Sequence, residues 1–184
     1  MRTLIVTEFI TLDGIIDSPG GGDHPQAGWT FKDVEFDEAA YELKGREQEE
    51  AGALLLGRRS YEEFAPVWPT MTEEFAGYNA MPRYVVSRTL QDTSLWPAQI
   101  LGSLDEVREL KQGEGDPIIV HGSATLAQGL AAEGLVDRYH LLVFPLLLGS
   151  GKRLFDAGPK QALRVVESQT YSNGIIKAVY DVVH

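Results

Sequence analysis

Short apolar runs alternate with helix-like segments along this chain, and the last two runs flank an Asn-Gly pair. That order restricts the fold more than any other feature. A strand, a helix and a second strand in succession pair in parallel, because the helix returns the chain across one face of the sheet. Leu4 to Ile10, Ala53 to Leu56, Arg83 to Ser87 and Pro117 to Val120 read as strands, with Arg138 to Phe144 a longer one. Phe36, Ala40 and Leu43 recur at helical spacing and predict a helix to about Ala51. Further helices are expected over Ser60 to Phe64, from a capping box at Ser103-Leu104-Asp105-Glu106 through Leu110, and across Leu126, Leu130 and Leu135. Arg164–Tyr171 and Ile175–Val183 around Asn173-Gly174 form an antiparallel hairpin. The predicted class is α/β, a mixed, mostly parallel sheet with helices on both faces and a C-terminal antiparallel hairpin, in one domain spanning residues 1–184.

Leu12 to Asp33 carries Pro19-Gly20-Gly21-Gly22 and Pro25 and lacks a periodic pattern. A loop of that length in a compact domain is usually functional. The formal net charge of −11 argues against a nucleic-acid or anionic-membrane surface, both of which need basic patches. The absence of cysteine removes disulfides and thiolate chemistry and fits a reducing compartment. Glu8 interrupts the first apolar run too early for a secretory signal, and Leu141 to Leu148 is far too short to span a bilayer. A cytoplasmic protein is expected.

Three junctions carry similar chemistry. Gly57-Arg58-Arg59-Ser60-Tyr61-Glu62 follows a strand and opens a helix, joining a close backbone approach to fork-shaped phosphate donors. A solvated helix start is the competing reading. Ser87-Arg88-Thr89 ends another strand, and alone reads as a polar turn. His121-Gly122-Ser123-Ala124-Thr125 repeats strand, glycine and helix, and its amides suit a pyrophosphate, with a simple serine N-cap as the alternative. Gly149-Ser150-Gly151-Lys152-Arg153 imitates a P-loop tail, but Leu146 and Arg153 replace essential residues. No G-x-G-x-x-G fingerprint or nucleophile elbow occurs. His24, His121, His140 and His184 show no metal-ligand spacing, so no metal is expected, and His140 reads as a core residue.

Together these motifs resemble the dihydrofolate reductase superfamily, specifically its riboflavin-biosynthesis reductase branch. Thr11-Leu12-Asp13-Gly14 is similar to that branch's S-L-D-G, residues 57–62 to G-R-x-T-[YW]-E, and Pro145, Gly149 and Gly151-Lys152-Arg153-Leu154-Phe155 to P-x-x-x-G-x-G-x-x-L-F. The resemblance implies an NADPH-dependent reductase of a small heterocyclic or carbonyl substrate, similar to 5-amino-6-(5-phosphoribosylamino)uracil reductase. A dihydrofolate reductase and a non-catalytic small-ligand-binding protein are the alternatives. Arg58 and Arg88 would hold the 2′-phosphate. Arg59, Ser60 and the amides of Gly122, Ser123, Ala124 and Thr125 would hold the pyrophosphate, with Gly57 and Ser87 also in the cofactor site. Asp13 would be catalytic, and Asp13, Gly14, Trp29 and His121 would line the substrate pocket. His121 stands where the branch has glutamate. An acidic residue on the first helix, from Asp33, Glu35, Asp37 or Glu38, would face a pterin. The resemblance also implies a homodimer, with the apolar segment 138–148 as an edge.

Overall fold

The computed structural model describes residues 1–156 and 158–183; His184, one of the four histidines, lies outside them. Its eight strands are β1 (Leu4–Thr11), β2 (Ala53–Gly57), β3 (Arg83–Val86), β4 (Gln99–Leu101), β5 (Ile118–His121), β6 (Arg138–Phe144), β7 (Ala162–Thr170) and β8 (Ile176–Val183). They form one sheet in the order β4-β3-β2-β5-β1-β6-β8-β7. All neighbouring strands from β4 to β6 pair in parallel, and β8 pairs antiparallel with both β6 and β7. The C-terminal ends of β1, β2, β3 and β5 therefore share one edge of the sheet.

The helices are α1 (Trp29–Lys32), α2 (Glu38–Glu50), α3 (Arg58–Phe64), α4 (Ala76–Ala80), α5 (Leu104–Gln112) and α6 (Ala124–Ala132). Val107 of α5 and Leu126, Ala127 and Leu130 of α6 pack with Leu4, Val6 and Val120 on one face. On the other, Tyr61 of α3 and Tyr78 of α4 meet Leu54, Leu56 and Ile119. Ala40 and Leu43 of α2 pack beside them against Leu142 and Phe144. Alternation along β1 makes both layers possible, since successive side chains point to opposite faces.

Several expectations are refined. The capping box forms, with Ser103 Oγ accepting from the Glu106 amide at 3.3 Å and Glu106 Oε1 accepting from the Gly102 amide at 2.9 Å. The 12–33 segment holds the short α1, and α3 begins at Arg58, which puts both arginines in its first turn. β4 escapes the sequence pattern because it has three residues and includes an exposed glutamine. The segment 138–148 is not an edge. Its strand, β6, lies between β1 and β8, and burial by two neighbours accounts for its apolar character. The sheet's two edges are β4 and β7, and β7 has Leu163, Val165 and Val166 in solvent.

Candidate functional site

Two strand-to-helix turns meet at the C-terminal edge of the sheet. Ser123 Oγ accepts from the Gly57 amide at 2.8 Å and donates to Ser60 Oγ at 2.8 Å. This one hydroxyl ties the β2–α3 turn to the β5–α6 turn. Gly122 has φ +64, and a Cβ there would stand 3.2 Å from Ser60 Oγ and 3.4 Å from Phe64 Cζ, so glycine permits the approach. Ser123 itself adopts a left-handed φ of 72, and α6 has no side-chain cap. Its first-turn amides lack intrahelical acceptors. Ser60 and Ser123, expected to bind a pyrophosphate, thus spend their hydroxyls largely on each other, while Ala124 and Thr125 offer backbone amides.

The cations lie outside this latch. Arg58 Nη1 donates to both carboxylate oxygens of Glu62 at 3.0 Å, in a half-exposed pair one turn apart. Arg59 and Arg88 are exposed and have no ion-pair partner among the described residues. Arginines in a first helical turn oppose the helix dipole, and no acidic residue offsets them there. A bound anion would turn that local penalty into an attraction. Ser87 Oγ accepts from the Thr89 and Leu90 amides at 3.1 and 2.9 Å, which shapes the turn presenting Arg88. Arg59 also borders a cleft of about 230 Å³ with Asp17, His24, Glu63 and Lys152. A larger depression of about 430 Å³ at Arg83, Pro97 and Gln99 lies at the opposite, N-terminal edge of β3 and β4. Its Arg83 is already bonded to main-chain carbonyls.

The 11–17 turn docks on the glycine-rich 146–154 segment. Asp13 Oδ2 accepts from the Gly149 amide at 2.8 Å, and Oδ1 from the Leu148 amide at 3.2 Å and Thr11 Oγ1 at 2.5 Å. What burial Asp13 has pushes its pKa up, but these donors prevail and hold it below the usual carboxylate value. The carboxylate expected to be catalytic is therefore committed to joining two loops. Gly14, at φ +84, turns the chain between Thr11 and Ile15. Trp29 does not line a pocket. It is fully buried, donates from Nε1 to the Asp17 carbonyl at 2.8 Å and packs edge-on against Phe144 at 5.2 Å. It anchors the 12–33 segment from beneath.

His121 is also packed rather than open to solvent. The rings of Phe64, Trp68 and Tyr78 surround it nearly perpendicularly at 6.0, 5.2 and 5.7 Å, with Phe9 at 6.3 Å. Burial foremost, then the Lys44 charge, lowers its pKa to about 3 against a weaker contribution from Glu47, so the ring is neutral. Its Nδ1 has no hydrogen-bond partner among the described residues.

Beside this cage lies a buried charge network that the sequence did not reveal. Lys44 Nζ donates to Thr7 Oγ1 and lies 3.5 Å from Glu47 Oε2. Thr7 Oγ1 donates to Glu47 Oε1 at 2.6 Å, His140 Nδ1 meets the same oxygen at 2.8 Å, and Tyr78 donates to Oε2 at 3.3 Å. The first-helix acid that faces the sheet is Glu47. Of the acids expected there, Asp37 instead caps α2, accepting from the Ala39 amide at 3.1 Å. The available signal was spacing, since Ala40, Leu43, Lys44 and Glu47 fall on one helical stripe. His140, read as a core residue, is buried in this network.

Residues 2–177 match the RibD C-terminal domain family. The uncharacterized protein YyaP of Bacillus subtilis strain 168 is 28% identical over 97% of this chain and 94% of its own. A solved Shewanella sp. PV-4 protein assigned to riboflavin biosynthesis superposes with a TM-score of 0.80 at 20% identity, over the whole of both chains. Dihydrofolate reductase from Enterococcus faecalis, solved with NADP(H), superposes with a TM-score of 0.64 at 11% identity, over 99% of this chain and 97% of that one. The fold is that of the dihydrofolate reductases.

Proposed function

The chain belongs to the RibD C-terminal domain family, and from that premise we propose that it is an NADPH-dependent reductase of a small heterocyclic or carbonyl substrate. The observation carrying this reading is the Ser123 latch, which brings two glycine turns and their helix starts together beside the exposed Arg58, Arg59 and Arg88. The residues fit a dinucleotide phosphate, because exposed guanidinium groups, of which Arg59 and Arg88 have no ion-pair partner among the described residues, and first-turn amides are the donors such a group requires. Arg58 and Arg88 take the 2′-phosphate, and Arg59 with the amides from Gly122 to Thr125 takes the pyrophosphate. Bound NADPH supplies a hydride. The chain's part is placement and exclusion of water, with Asp13 and Trp29 holding the 11–33 segment over the cleft.

The buried network shapes the substrate choice. His121 presents a neutral ring, and Glu47 is an ionised acid already paired with Lys44. A substrate that needs a free carboxylate at either position, as a pterin does at the helix acid, meets none. This favours a carbonyl or imine substrate over dihydrofolate.

Fluorescence titration with NADPH and NADH, followed by NADPH oxidation with dihydrofolate, pyrimidine, aldehyde, ketone and imine substrates, tests the reading. The expected result is tighter NADPH binding with turnover confined to carbonyl, imine or heterocyclic substrates other than dihydrofolate. NADPH binding without turnover on any of them would make the protein a ligand-binding member of the fold.

A further inference from the structure

β1 runs between two strands that accompany it unequally. Its pairing with β5 ends at Thr7–His121, whereas its pairing with β6 continues to Thr11–Phe144. From Glu8 onward the β5 side of β1 is open, at the point where the chain leaves through Gly122 into α6. Open α/β sheets hold ligands in crevices of this kind, outside the carboxyl ends of strands. Glu8 is the first β1 residue past the last β5 partner and is only 2% exposed. Alternation along β1 places its side chain on the face of Val6 and Ile10, the face that α6 covers. The Gly122 amide favours the charged form of its carboxyl group only weakly, and Oε1 meets no partner among the described residues. Burying a carboxyl oxygen without a hydrogen-bond partner costs free energy, and a core position of that kind is normally apolar.

We propose that Glu8 is the proton donor of the reduction, delivering its carboxyl proton to the heteroatom of the substrate's C=O or C=N bond. This rests on the reductase reading above. Hydride addition to such a bond forms a C–H bond, breaks the π bond and leaves an electron pair on oxygen or nitrogen. The Glu8 proton converts that atom to a hydroxyl or amine, NADP⁺ departs, and water reprotonates the Glu8 carboxylate.

The neighbouring groups do not supply that proton. The charged groups that act on Glu8 are Lys44 and Glu47, which reach it from α2 on the opposite face of the sheet. Burial above all holds the Glu8 carboxyl protonated well above the usual carboxylate range. Lys44 opposes this, Glu47 adds to it, and the Gly122 amide opposes it weakly. Glu47 is ionised, His121 is neutral without an acidic proton, and Asp13 is held as a carboxylate. A general acid needs its proton at the working pH, and Glu8 keeps one there.

Glu8→Gln preserves shape and removes the transferable proton. In protein labelled with ¹³C at the glutamate carboxyl, one resonance missing from the variant should report a protonated group through neutral pH. The variant should bind NADPH as the wild type does, yet reduce carbonyl or imine substrates about 100-fold more slowly or worse. The wild-type rate should fall as pH rises through the ionisation of Glu8, and the variant rate should stay flat. A Glu8 carboxylate already ionised at neutral pH overturns the proposal, as does a variant with wild-type rate and pH profile. A wild-type protein that binds no NADPH, or turns over no substrate, overturns the reductase reading instead, whatever the state of Glu8.

Discussion

His140 Nδ1 and Glu47 Oε1 lie 2.8 Å apart beneath α2, which ties the first long helix to the strand that carries the C-terminal half of the sheet. Burial alone would raise the Glu47 carboxyl, but Lys44, His140 and Thr7 together bring it down to about 2. Because the folded value is depressed, the stability it contributes is complete above about 4.5 and is lost as pH falls toward 2. Glu47→Gln leaves the Lys44 ammonium buried without its counter-charge and should cost about 3–5 kcal/mol at neutral pH. Urea unfolding of both proteins checks this, and a loss under about 1 kcal/mol would show that the network is not structural.

His121 adds a second acid-sensitive contribution. Its folded pKa of about 3 lies below the ordinary 6.5, so the unfolded chain takes up the proton first and stability declines as pH drops from 6.5 toward 3. His121→Gln, which does not titrate, should show a shallower decline than wild type across that window in chemical unfolding. His121→Glu, which restores the branch's carboxylate, buries it among four rings and should lower the melting temperature. Parallel pH profiles for wild type and His121→Gln would remove His121 from the acid response.

The latch at Ser123 separates a hydrogen-bond effect from a backbone effect. Ser123→Ala loses two bonds and keeps a Cβ at φ 72, whereas Ser123→Gly loses the bonds but relaxes the backbone. The alanine variant should be less stable than the glycine variant by about 1–2 kcal/mol. Both should bind NADPH more weakly than wild type, since the two turns are no longer held in register. Thermal unfolding and NADPH titration give the ordering, and an alanine variant as stable as the glycine one would contradict it.

Arg58→Ala and Arg88→Ala should each weaken NADPH by about 1.5–3 kcal/mol, the range for a hydrogen bond to a charged group, and leave NADH almost unchanged. Glu62→Ala frees Arg58 from its helix partner and should tighten NADPH modestly. Calorimetric titration with both cofactors distinguishes these effects. Equal losses for NADPH and NADH would move Arg58 away from the 2′-phosphate.

A homodimer is expected through β7. This nine-residue edge strand exposes Leu163, Val165 and Val166, and a long apolar edge invites pairing with another copy. Val165→Lys should convert a dimer to a monomer in sedimentation experiments at micromolar concentration. A monomeric wild type under those conditions would sink the idea.

Much of the architecture is written locally. The alternation of strands and helices, the Ser103 cap and the Asn173-Gly174 turn each depend on residues within a few positions of one another, and neighbouring side chains settle them before any packing occurs. Parallel pairing then brings Gly57, Ser87 and Gly122 to one edge, so the phosphate-suited turns were legible from strand order. The rest depended on contacts between distant residues. Asp13 meets Gly149 across 136 positions, His140 meets Glu47 across 93, and Thr7 meets Glu47 across 40. No local pattern distinguishes a carboxylate that binds a ligand from one that ties two loops together, because the partner supplies the difference. Tertiary packing turned Asp13 into a fastener, Trp29 into an anchor and His121 into the centre of an aromatic cage. It also left Glu8 buried within β1, beyond its last β5 partner, where burial outweighs the Lys44 charge.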